Sequence, residues 1–126
     1  MSYLNEPVHR ISDVWQGATV TPLVNLDSAS FVSGFYAVVD GAVIAWFTAN
    51  VDQITAAIAT QLSISLPVPK VLAAASDVAG VTGQSGLSGG YSGRISGRLS
   101  TNGADVFFSG GDLATTLHGW FSYRLD

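Results

Sequence analysis

Residues 35–47 read FYAVVDGAVIAWF, two apolar runs joined at Asp40-Gly41. Asp-Gly between β-prone runs marks a hairpin whose two-residue turn holds both central residues at positive φ. That geometry sets Val39 opposite Ala42, Ala37 opposite Ile44 and Phe35 opposite Trp46. The other face then carries Val38 with Val43, Tyr36 with Ala45 and Gly34 with Phe47. Both faces are apolar, and from Ser28 to Val51 the only charge is Asp40. One face belongs in the domain's own core. Leaving the other in water forgoes about 1.5–3 kcal/mol per large side chain, and contiguous exposed patches of this kind mark contact sites. Phe35, Tyr36, Ile44, Trp46 and Phe47 are therefore interface candidates. Which face is core stays open, as does the alternative that residues 52–62 or the N-terminal arm cover the second face.

A second hairpin, RISGRLSTNGADVFFS over 94–109, behaves differently. A two-residue Asn102-Gly103 turn predicts Leu99 opposite Val106 and Gly97 opposite Phe108. Its dry face is Ile95, Leu99, Val106 and Phe108. Its wet face is Arg94, Ser96, Arg98, Ser100, Asp105 and Ser109, with Phe107 the one large apolar member. Arg98 and Asp105 fall on a diagonal within ion-pair reach. The apolar excess of the first hairpin is thus local.

Period-two alternation recurs along the chain. ATVTPLVNL (18–26) is a strand, with Pro22 placing it at an edge or a bulge. LSISLPV (62–68) is another, VLAAASDVAGV (71–81) a weaker one, and TTLHGWFSYRL (115–125) the last. About eight short strands with turns between them predict an all-β fold, an antiparallel β-sandwich of jelly-roll-like form. Ile54, Ile58 and Leu62 are spaced for one short helix over 53–61 with Asp52 as its cap, with a loop as the alternative. The Gly/Ser-rich run GVTGQSGLSGGYSG (80–93) lacks the lysine and strand–helix setting of a phosphate loop and reads as a loop, or as a tip that orders on a partner.

Composition narrows the function. Charged residues are 11% of the 126, against about 25% in ordinary domains, and mean hydropathy is +0.38. Five Lys plus Arg at a net charge of −4 give no basic footprint, so no nucleic-acid partner is expected. There is no cysteine, which excludes disulfides, thiol catalysis and zinc–thiolate sites. The N-terminal stretch lacks the basic start and apolar centre of a signal peptide, and no run approaches the ~20 apolar residues of a membrane helix. Neither membrane insertion nor standard secretion is expected.

On the last strand Leu117, Phe121, Tyr123 and Leu125 form the predicted inner face. His118, Trp120, Ser122 and Arg124 form the other, and Trp with Arg suits an interface anchor. His118, Trp120 and Arg124 join the interface candidates. Residues 1–17 form an arm whose Tyr3, Leu4, Val8, Ile11, Val14 and Trp15 follow no strand period, as docking anchors would. No catalytic pattern is present: two histidines among many serines specify no triad, and most aspartates fall at turns, where they serve the backbone. No catalytic residue, metal ligand or cofactor is expected.

LSISLPVP (62–69), DVAGVTG (77–83), SGRISGRLSTNGADVFFSGG (92–111) and HGWFSYRL (118–125), preceded by TVTPLVNL (19–26) and YAVVDGAVIAWFTANVD (36–52), resemble a family of small β-domains in tailed-bacteriophage virion proteins. These occur in tail fibres, head fibres and capsid decoration proteins. The likeness spans 18–126, a single domain after the arm. It departs at ITAAIATQ, more apolar than the usual connection, and in the long Gly-rich run. The resemblance implies a sandwich-like fold, homo-oligomers (trimers foremost), and structural or receptor-contacting work beside other virion proteins. It also implies localisation to the virion after synthesis in the host cytoplasm. The rival expectation is a carbohydrate-binding module stacking sugars on Trp120, Tyr91 or Trp46, with a host surface glycan as partner. A small enzyme using His118 is the third.

Overall fold

A computed structural model describes residues 13–84, 92–109 and 113–126. Those residues form nine strands: β1 (Asp13–Val14), β2 (Val20–Val24), β3 (Leu26–Val39), β4 (Ala42–Gln53), β5 (Thr60–Ser65), β6 (Ala79–Gln84), β7 (Ser92–Arg98), β8 (Gly103–Phe108) and β9 (Ala114–Arg124). All pair antiparallel, in one continuous sheet of order β1-β3-β4-β9-β6-β7-β8-β5-β2. The all-β expectation holds.

The chain itself dictates the sheet's curvature. β2 is last in the order and β3 second, yet only Asn25 separates them. One residue spans under 4 Å, so the sheet must curl until its far edge returns to β3. Asn25 makes the corner at φ 60°, a left-handed conformation that asparagine tolerates best after glycine. Its side-chain NH2 donates to Thr55 O and to Thr60 Oγ1, both at 2.8 Å, and its Oδ1 accepts from Thr55 N at 2.9 Å. The result is a curled, half-barrel sheet. Pro22 lies on the edge strand β2 at a register irregularity, where its missing donor is tolerated.

The concave side holds one core drawn from strands at both ends of the order. It includes Val43, Phe47, Leu62, Ile64, Val106, Leu117 and Phe121, all nearly or fully inaccessible. Trp15 belongs to it. Its ring packs edge-on to Phe121 and tilted against Phe31, and its backbone N–H donates to Gly34 O. Gly34 permits this approach, because a Cβ there would meet Trp15 Cε3 at 3.0 Å and Trp46 O at 2.7 Å. Trp15 is therefore a core residue of its own chain, a correction to its reading as a docking anchor, and the independent fold begins by Asp13 rather than at 18. Tyr3, Leu4, Val8 and Ile11 lie outside the described residues.

The first hairpin has the predicted register throughout its turn end, with Val39 opposite Ala42 and Phe35 opposite Trp46. Asp40 and Gly41 both have positive φ. The second hairpin differs. Arg98 faces Gly103 and Ile95 faces Val106, so the turn occupies Leu99–Asn102 rather than Asn102-Gly103. Only Asn102 has positive φ, and its Oδ1 accepts from Leu72 N at 2.9 Å. That tertiary bond fixes a four-residue turn. Because each pair moves by an even number of residues, the faces survive: Ile95, Val106 and Phe108 are buried, and Arg98 meets Asp105 at 3.3 Å. Leu99, moved into the turn, is exposed.

No helix forms over 53–61. Gln53 ends β4, Thr60 begins β5, and the six residues between are turns and bends, with Ala57 at φ 64°. Six residues are too few for a stable helix unless packing supports it, and Ile54 and Ile58 are exposed. The weaker strand over 71–81 begins only at Ala79, after a 3-10 turn at Ala75–Asp77. Asp77 accepts from Ala73 N and Ala74 N, and these bonds hold its carboxyl below the usual range. The middle of the Gly-rich run, with Tyr91, lies outside the described residues.

Candidate contact surface

The convex side of the sheet carries the site. Alternation along β4 turns Val43, Ala45, Phe47, Ala49 and Val51 inward, so the face with Phe35, Ile44 and Trp46 is the outer one. Phe47 and the half-buried Tyr36 lie on the core side and leave the interface candidates. On β9 Leu117, Phe121 and Tyr123 are buried as expected, while Leu125 is exposed beyond the strand's end.

The cross-strand registers then align one residue from each of five neighbouring strands. Val14 faces Phe35, Phe35 faces Trp46, Trp46 faces Trp120, and Trp120 faces Val81. Directly opposed residues of an antiparallel pair project to the same side, so these five make one apolar row across β1-β3-β4-β9-β6. Phe35 and Trp46 are stacked at 4.9 Å and 20°. Val14 is 70% exposed, Phe35 46%, Trp120 43% and Val81 49%.

The row stops at β7. Val81 faces Arg94 and Arg94 faces Phe107, with the guanidinium carbon 4.1 Å from the Phe107 ring centre. This cation–π cap accounts for the one large apolar side chain on the wet face of the second hairpin. The outer surface is thereby divided into an apolar part over β1-β3-β4-β9-β6 and a polar part over β7-β8-β5.

Beside the row runs a polar one, Ser33–Thr48–His118. Thr48 Oγ1 and His118 Nδ1 are 3.1 Å apart, and the next row pairs Thr116 Oγ1 with Asn50 Oδ1 at 3.1 Å. Two open depressions meet here. One of about 300 Å³ lies among Phe35, Trp46, Thr48 and His118; the other, about 540 Å³, lies among Trp46, Val81, His118 and Trp120. Arg124 is tied back to its own chain. It donates to Asp40 O and to the Asp126 carboxylate, which keeps its guanidinium charged and holds the Asp126 carboxyl low.

His118, Trp46, Trp120, Phe35 and Ile44 thus share one face, with Arg124 at its margin. Val81 was missed, and Val14, read as an anchor of the arm, belongs to this face. No local signal places β6 beside β9, and only that pairing sets Val81 against Trp120. Among the described residues no cluster of three His, Asp or Glu could hold a metal. No helix among the described residues is long and apolar enough to cross a membrane. No family model, curated protein or solved structure matches this chain.

Proposed function

We propose that this chain is a non-catalytic structural subunit of a bacteriophage virion, a homo-oligomeric decoration, head-fibre or tail-fibre domain that buries its outer apolar face on assembly. The carrying observation is the Val14–Phe35–Trp46–Trp120–Val81 row, which crosses five strands without an intervening charge. The low charge of the chain fits a subunit much of whose surface is covered. On this reading the curled sheet over a single core is a jelly-roll-like sandwich. The test is native mass at sub-micromolar concentration: a stable oligomer is expected, and Trp120→Asp reduces it to monomer. A wild-type monomer refutes the reading.

The polar row gives a second reading. An aromatic platform beside Thr48, Asn50 and His118 also suits a saccharide, whose ring stacks while its hydroxyls hydrogen-bond. Trp120→Ala separates the two. Lost glycan-array binding with unchanged mass favours the saccharide, whereas lost mass favours assembly.

A further inference from the structure

A second apolar patch lies at one end of the sheet. Gln53 N donates to Leu113 O at 2.7 Å and Ile54 N to Asn25 O at 3.1 Å. Thr60 Oγ1 binds Ile58 O and accepts from Asn25. These bonds bring the backbones at Leu23–Val24, Ile54, Ile58 and Leu113 to the same end, and all five side chains are exposed: 37%, 46%, 59%, 47% and 48%.

Resting on the assembly reading above, we infer that the aromatic row of one copy of this chain packs on the aliphatic end of the next. The contact is heterologous and joins three or more copies head to tail. The two patches match in size. At roughly 150–250 Å² for each large side chain in full, the exposed fractions leave about 300–500 Å² on Val14, Phe35, Trp120 and Val81 and about 350–600 Å² at the end. A standard interface buries about 800 Å² per partner, of which about 60% is apolar, so each patch supplies the apolar share of one side. A dimer joined row to row would cover the first patch and leave the second in water on both copies. A head-to-tail contact covers both with a single interface per chain, and head-to-tail contacts close into rings or run on as filaments. Charge agrees: Arg94 ends the row, and Asp27 and Asp52 flank the end.

The test uses two variants of the full chain, Trp120→Asp on the row and Ile54→Asp with Ile58→Asp at the end. Val81→Asp and Leu113→Asp stand in wherever circular dichroism shows a variant unfolded. Native mass of the wild type is expected at three or more times the monomer, and each variant alone at monomer. An equimolar mixture is expected at twice the monomer mass, because one intact end then meets one intact row. An end variant that keeps the wild-type mass while the row variant loses it overturns this inference and leaves assembly through the row standing. A mixture that stays monomeric, or a wild-type dimer, also overturns it. A wild-type monomer removes both readings.

Discussion

Asn25 is where the fold is most economically tested, because it alone joins two strands on opposite sides of the sheet. Asn25→Gly keeps the left-handed corner and removes three side-chain hydrogen bonds, those to Thr55 N, Thr55 O and Thr60 Oγ1. Two of these are solvent-exposed, which places each near the low end of the usual range, so the loss is about 2 kcal/mol in total. The buried Thr60 hydroxyl keeps Gln53 Oε1 at 3.1 Å and Ile58 O at 3.0 Å, so no orphaned group raises that figure. Asn25→Ala loses the same bonds and adds about 1 kcal/mol for a Cβ at positive φ, about 3 kcal/mol in all. Urea unfolding should be followed in a Trp120→Asp background, so that dissociation does not enter the free energy. Both midpoints should fall with an unchanged slope, Ala further than Gly. Asn25→Gly within about 0.5 kcal/mol of its parent, the scatter of surface substitutions, would mean that the side chain does not hold the corner. Equal midpoints for Ala and Gly would refute the backbone argument.

Three further outcomes follow from the core. Phe121→Ala empties a site with no exposure, packed against Trp15, Phe47 and Tyr123, and should cost about 3–5 kcal/mol in urea unfolding. Tyr123 donates to Val68 O and accepts from Val68 N, and burial pushes its phenol up to about 12 from 10.0. The folded state therefore holds its proton more tightly than the unfolded one, so this stability is full below pH 10 and lost as pH rises towards 12. Tyr123→Phe should flatten that part of the melting-temperature profile. Gly80→Ala places a Cβ 2.1 Å from Trp120 O and 2.7 Å from Phe121 Cα, both backbone atoms that cannot yield without parting β6 from β9. Loss of cooperative unfolding is expected, measured by calorimetry.

Local chemistry was legible in the sequence and distant pairing was not. The register of the first hairpin could be read because Asp40-Gly41 alone fixes it. Asn102-Gly103 carries the same signal, but Leu72, thirty residues away, donates its backbone N–H to the Asn102 side-chain oxygen and sets a longer turn. Pro22 pointed correctly to an edge. The 3.6-period spacing of Ile54 and Ile58 suggested a helix because spacing cannot reveal that no surface waits to bury the stripe. The aromatic row was half visible. Phe35 and Trp46 could be paired from their turn, and Trp120 could be assigned to an outer face, but nothing local sets Trp120 opposite Trp46 across 74 positions.

The members of that row differ in what they do for the isolated chain. Phe35 and Trp46 stack within one hairpin, and such pairs stabilise a sheet by about 0.5–1.5 kcal/mol beyond the area they bury. Their presence is partly explained by folding alone, so loss of assembly on changing either would be ambiguous. Val14, Trp120 and Val81 sit at 43–70% exposure, too open for burial within the chain to account for them. The polar part of the same sheet shows how a lone aromatic is managed without a partner: Phe107 is covered by Arg94. Trp120 has only Trp46 and Val81 directly opposite it, and neither carries a charge. What Trp120 contributes beyond the fold must therefore come from whatever lies against the outer face, and that makes it the position at which assembly and folding separate most cleanly.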